Sequence, residues 1–186
     1  GSVDGLAFTA SEALAGGSGD DSFVVSAGAS LASGLDGGLG DNALVGPDAD
    51  TSWSITGSNS GSLGSLAFTQ VANLIGGSGD DHFNIIGSGS LTGLLDGGAN
   101  EDEEDPADDF LDFSALAATL TVDMGTGSAT RVQQFQRIDR ITAGSSGSDT
   151  VKGPTASHVV QWTLSGTNTA SLLGVAFSGF EWSGLP

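Results

Sequence analysis

The chain repeats itself, and that constrains its fold more than any other feature. Residues 2–38 align without a gap on residues 62–98, with 19 of the 37 positions identical. A second offset lays WSITGSNSGSLGSLAF (53–68) on WTLSGTNTASLLGVAF (162–177). Glycine-rich turns begin at Gly16, Gly37, Gly57, Gly76, Gly97, Gly125, Gly144 and Gly166, at spacings of 21, 20, 19, 21, 28, 19 and 22. The one long spacing spans the acidic block Glu101 to Asp109. A unit of about 20 residues is too short for a helical hairpin repeat and suits one rung of a β-solenoid. The expectation is one all-β domain over 1–186, a parallel β-solenoid of the β-helix or β-roll kind. Its internal repeats are 2–38, 53–98 and 162–186, and its acidic insertion is 101–109. Eight rungs stacked at the spacing of β-strands would form a rod about 40 Å long.

Short apolar runs supply the strands: FVV (23–25), ALV (43–45), WSIT (53–56), LAF (66–68), FNII (83–86), TLTV (119–122) and VVQWTL (159–164). No segment sustains a 3.6-residue apolar period over three turns. Ser11 to Leu14, Val71 to Leu74 and Ala115 to Ala118 offer a single helical turn each, so little helix is expected.

Charge is distributed as unevenly as glycine. Residues 1–130 hold 20 acids and no base, whereas residues 131–186 hold three acids and all four bases, Arg131, Arg137, Arg140 and Lys152. Such a segment repels nucleic acid and anionic membranes and attracts cations. No apolar stretch is long enough to span a bilayer, so membrane insertion is not expected. With no Cys in 186 residues there is neither a disulfide framework nor a thiolate metal site. The segment reads as an excerpt of a longer polypeptide.

Two turns carry a fuller pattern. GGSGDDSFV (16–24) and GGSGDDHFN (76–84) match G-G-x-G-x-D-x-U-x, where U is a large apolar residue, at every fixed position. GGLGDNALV (37–45), with Asn42 at the Asp position, and GSSGSDTVK (144–152) are degraded copies, and the turn at Gly97 is interrupted by EDEEDPADD. These turns resemble the RTX, or haemolysin-type, calcium-binding repeats. With blocks such as WSITGSNSGSL, LAFTQVANLIGGSGDDHF and FLDFSALAATLTVDMGTGSAT, the chain is similar to the degenerate, longer-period repeats of giant bacterial surface and adhesin-like proteins.

The resemblance implies that glycines turn carbonyl oxygens inward, the Asp adds a carboxylate, and U anchors the next strand in the core. Ca²⁺ takes six to eight oxygens, so one turn must share the ion with its neighbour. The implied ligand-bearing positions are Gly17, Gly19, Asp20 and Asp21 beside Asp36, Asp41 and Asn42. A second group joins Gly77, Gly79, Asp80 and Asp81 to Asp96 and to Glu101 or Asp102. A weaker third site is expected near Asp149. The Gly57 turn lacks a carboxylate and predicts a gap in the metal ladder.

The remaining residues take plainer roles. The run 101–109 reads as a solvated loop, with Asp109 and Asp112 marking re-entry into the rungs. His82 and His158 lack spaced partners for zinc. Trp53, Trp162 and Trp182 pack the core or an end, and the arginines pair with neighbouring acids. Thr119 to Thr121 carries a T-x-T that does not recur in each rung, so an ice-binding face is not expected. The resemblance implies a non-enzymatic, Ca²⁺-stabilised spacer of a secreted or cell-surface bacterial protein, folding after export. Its partners would be calcium ions, neighbouring repeats of the same polypeptide and cell-surface glycans, with no nucleic acid. A carbohydrate-binding module or a polysaccharide lyase or epimerase on a β-helix is the alternative. Lyase chemistry needs a base or a Tyr at the reacting carbon, and this chain has no Tyr.

Overall fold

A computed structural model describes residues 12–99, 109–155 and 160–180, together with the backbone of Ser2–Val3 and Leu6–Ala7. Glu101, Asp102 and the rest of the insertion up to residue 108 lie outside the described residues, as do His158 and Trp182. The described chain is all-β without helix. Leu14 and Leu74, from two of the possible helical turns, lie in strands Ala13–Ala15 and Asn73–Gly77.

Two mixed sheets contain nearly all strands, one of eleven and one of eight, and the hairpin Ser2–Val3/Leu6–Ala7 stands apart. The chain crosses from one to the other at almost every turn. Ala13–Ala15, Gly34–Asp36, Thr51–Gly57, Asp81–Ile85, Phe110–Asp112 and Arg140–Thr142 belong to the larger sheet; Ser22–Val24, Ala43–Val45, Asn73–Gly77, Leu91–Gly98 and Thr150–Lys152 belong to the smaller. Successive passes pair in parallel, as in Ala13 with Gly34, Ser22 with Ala43, Thr51 with Asp81 and Phe110 with Arg140.

The expected uniform step of about 20 residues does not hold. Residues brought together on neighbouring passes are 21 apart near the start, then 30, 28 and 41 apart further on. The reason is antiparallel insertion within a sheet. Thr51–Gly57, Ser60–Leu63 and Leu66–Thr69 form a meander in the larger sheet, and Thr121–Asp123, Ser128–Ala129 and Val132–Gln136 do so in the smaller. Gly57 and Gly166 therefore sit at hairpin ends and Gly125 follows Asp123 in a hairpin turn, so none of the three is a corner between sheets. The expected gap in a metal ladder at Gly57 loses its meaning, because that turn is not part of a ladder.

The second meander, Trp162–Gly166, Thr169–Leu172 and Val175–Ser178, reproduces the first residue for residue. Trp53 faces Leu63 and Trp162 faces Leu172, and each hairpin carries its register shift at the same place. The extra passes have a further effect on the repeats. Gly16 to Asp21 leads from the larger sheet to the smaller, whereas its copy Gly76 to Asp81 leads from the smaller to the larger. Identical sequence thus occupies opposite edges of the molecule.

Side chains alternate between core and solvent as a pleated strand requires. In Asp81–Ile85 the residues Asp81, Phe83 and Ile85 point inward. Trp53 stacks on Phe83 with centroids 5.5 Å apart and meets Phe68 edge-on at 6.4 Å, so it is a core residue. The motif's U positions Leu44 and Phe83 are fully buried, whereas Phe23 on the first pass is only partly so.

Candidate metal centres at the glycine corners

Stacking corners forces backbone against backbone. A Cβ on Gly16 would collide with Asp21 Oδ2 and Gly37 O; one on Gly76 with Asp81 Oδ2 and Gly97 O; one on Gly97 with Asp109 Oδ2 and Arg137 O. The first glycine of each corner is therefore required by space, and the left-handed φ of 116° at Gly17 and 137° at Gly77 adds a conformational requirement at the second. In each case the Asp tucks one carboxylate oxygen beneath the glycine, close to a carbonyl of the next corner.

On one edge, Asp21 N donates to Asn42 Oδ1 at 2.9 Å, and Asn42 Nδ2 donates to Gln70 O at 3.0 Å. Asp41 N donates to Asp20 Oδ1 at 2.7 Å, so Asp20 and Asp21 do lie beside Asp41 and Asn42. Asp36 instead turns back on its own corner, accepting from Gly38 N and Gln70 Nε2. The Gly17 carbonyl accepts from Leu39 N and the Gly77 carbonyl from Ala99 N. Gly19 meets nothing within 4 Å of its would-be Cβ, and Gly79 packs against the backbone of Ala49 and Asp50.

On the other edge a column of carboxylates forms. Thr51 donates through N and Oγ1 to Asp81 Oδ1, Asp81 N donates to Asp109 Oδ1 at 3.0 Å, and Asp109 N donates to Asp139 Oδ2 at 3.1 Å. Asp80 is exposed, and its N–H donates to Asp50 Oδ1. Asp96 does not join Asp81: Arg137 pairs with its Oδ2, Gln136 Nε2 donates to the same atom, and Gly98 N donates to Oδ1. Asp149, near the far end, accepts from Leu120 N at 2.7 Å.

Four of these carboxylates share one peculiarity. Asp21 Oδ2, Asp81 Oδ2, Asp109 Oδ2 and Asp149 Oδ2 are buried without a hydrogen-bond partner, an arrangement that costs on the order of 1–3 kcal/mol each if left bare. Burial pushes the Asp81 carboxyl up to about 7, with the Asp109 charge adding to the rise and the Thr51 hydrogen bonds opposing it. Burial likewise raises Asp109 to about 6, reinforced by Asp139, Asp80 and Asp96. A proton or a hard cation relieves such an oxygen; Asn42 shows a third solution, an amide whose Nδ2 donates where these oxygens have nothing to accept. Among the described residues no group of three or more His, Cys, Asp or Glu side chains is arranged to hold a metal. A Ca²⁺ ion at these corners thus needs main-chain carbonyls beside the Asp, and the carbonyls of Gly37, Gly97 and Arg137 lie against the same glycines as the orphaned oxygens. The residues fit a hard cation on that basis.

Asp109 and Asp139 were not foreseen as site residues. The signal was present: Asp109-Phe110-Leu111 and Asp139-Arg140-Ile141 repeat the D-x-U ending of the motif, and Leu111 and Ile141 are fully buried. At Gly97 the acidic insertion splits the motif, yet Asp109 returns to the slot that Asp81 fills beneath Gly76.

The arginines hold structural posts. Arg137 neutralises Asp96, Arg140 lies over the Phe110 ring at 5.3 Å, and His82 stacks on the same ring at 4.5 Å. No helix among the described residues is long and apolar enough to cross a membrane. Comparison with protein-family models, curated proteins and solved structures finds no match to this chain.

Proposed function

We propose that this chain is a calcium-stabilised parallel β-solenoid segment, a stiff spacer within a large secreted or cell-surface bacterial adhesin-like protein, without enzymatic activity. The observation that carries the reading is the set of four buried carboxylate oxygens that lack a donor, three of them pressed against a corner glycine and a neighbouring carbonyl. Ca²⁺ is a hard cation that prefers carboxylate and carbonyl oxygen. Its sites would use Asp21 on one edge, Asp81 with Asp109 on the other, and Asp149 near the end. Because each site combines atoms from separate passes, metal binding and folding are coupled. A chain carrying −19 net charge and many glycines would stay unfolded at low calcium, ready for export, and stiffen at extracellular millimolar levels.

Circular dichroism of the chain in EGTA and then with added Ca²⁺ tests the proposal. A β-sheet signal that appears or sharpens cooperatively with Ca²⁺, and not with Mg²⁺, is expected. The same spectrum and melting temperature in both conditions would contradict it.

A further inference from the structure

The two ends of the molecule are halves of a contact already made inside it. Within the chain, Thr51–Gly57 is the outer strand of the first meander and is covered in parallel by Asp81–Ile85, with Trp53 opposite Phe83. Both rings are fully buried and stacked. The second meander ends in the equivalent strand, Trp162–Gly166, at the border of the eleven-stranded sheet. Ser22–Val24, the repeat equivalent of 82–84, lies at the border of the eight-stranded sheet at the opposite end. Each border strand pairs on one side only. The open side of each corresponds to the side that is paired internally.

Exposure follows from this. Leu164 is 69% exposed, whereas its counterpart Ile55 is buried, and Trp162 and Phe23 are only partly buried where Trp53 and Phe83 are fully so.

We propose that a second copy of this chain covers these strands, head to tail, with Trp162–Gly166 of one copy adding in parallel to Ser22–Val24 of the next and Trp162 opposite Phe23. The other sheet continues in step: Thr150–Lys152, aligned by the motif with Ala43–Val45, meets Ala13–Ala15, the repeat equivalent of the strand that Ala43–Val45 pairs with. Because sequence copies occupy opposite sheets, the larger sheet of one molecule runs into the smaller sheet of the next, and both junctions close together. Charge favours the same polarity. Residues 12–41 at the leading end carry five acids and no base, while Lys152 lies in the border strand at the trailing end. A heterologous contact of this kind does not close on itself, so it propagates as a filament.

The contact can be trapped by register. The chain has no Cys, and Thr163 and Val24 correspond to the internal partners Ser54 and Asn84. Folded Val24→Cys and Thr163→Cys chains, mixed in Ca²⁺ and oxidised, are expected to form disulfide heterodimers in severalfold excess over Ser22→Cys mixed with Thr163→Cys. The unmodified chain should rise in mass with concentration by sedimentation. Leu164→Lys places a charge where the partner strand must pack, so association should weaken by about tenfold or more with an unchanged far-ultraviolet spectrum. A chain that stays monomeric at all concentrations, a closed dimer, or cross-linking indifferent to register would each overturn the proposal.

Discussion

At the scale of single residues, Asn42 and Asp81 solve one geometric problem in two ways. Both lie beneath a corner glycine, each accepts or donates along its column, and only Asn42 has a donor for the carbonyl above it. In metal-free protein, Asp81→Asn should therefore raise stability by about 1–2 kcal/mol, measured by thermal melting in EGTA, while lowering Ca²⁺ stoichiometry by calorimetry. Asp81→Ala should lose both. The pH dependence follows from the same oxygens. Their folded carboxyls titrate near 7 and 6, above an unfolded value of about 4, so the metal-free folded state binds more protons than the unfolded one. Its stability is greatest at low pH and is lost as pH rises from about 4 to about 7. In EGTA the melting temperature should thus be higher at pH 5 than at pH 8; saturating Ca²⁺ should cancel or reverse the trend, and Asp81→Asn with Asp109→Asn should flatten it. Glycines divide just as sharply. Gly76→Ala drives a Cβ into the next corner and should cost at least about 2 kcal/mol, whereas Gly19→Ala meets open space and should be nearly silent.

Elements show what the sequence can and cannot reveal. The meanders were visible as aligned blocks around Trp53 and Trp162, and the parallel strands as short apolar runs. Their placement was not. A three-residue strand such as Ala43–Val45 reads alike whether its neighbour lies 20 or 30 residues on, because partner choice is settled by which insertions stay within a sheet. The same ambiguity hid Asp109, whose half of the motif follows a long acidic insertion, and made Asp96 look like a ligand although Arg137 claims it. One element also carries a local conflict. The turn closing the second meander holds Leu173 at φ 53° before Gly174 at 87°, with Leu173 63% exposed. Two positive φ values suit an Asn-Gly turn and penalise a residue such as Leu by about 1–2 kcal/mol. Leu173→Asn should accordingly raise the melting temperature by a few degrees, and an unchanged or lowered value would show that the strain is absent.

On the scale of the whole molecule, glycine surplus and negative charge meet at the same corners. Stacked passes bury apolar residues such as Leu44, Phe83, Leu95 and Ile141 between two sheets, and that burial supplies the general drive to fold. The corners oppose it: carboxylate oxygens are carried inward with no donor to meet them. Calcium resolves the opposition only where passes are stacked, which makes a fold that depends on the medium around it. The most direct measurement is isothermal calorimetry of Ca²⁺ binding followed in parallel by far-ultraviolet circular dichroism, on the unmodified chain and on Asp21→Ala/Asp81→Ala. The account predicts binding and β-sheet formation with a common midpoint, and a loss of bound ions together with a lower melting temperature in the variant. A chain that is fully folded in EGTA and binds no Ca²⁺ would contradict it.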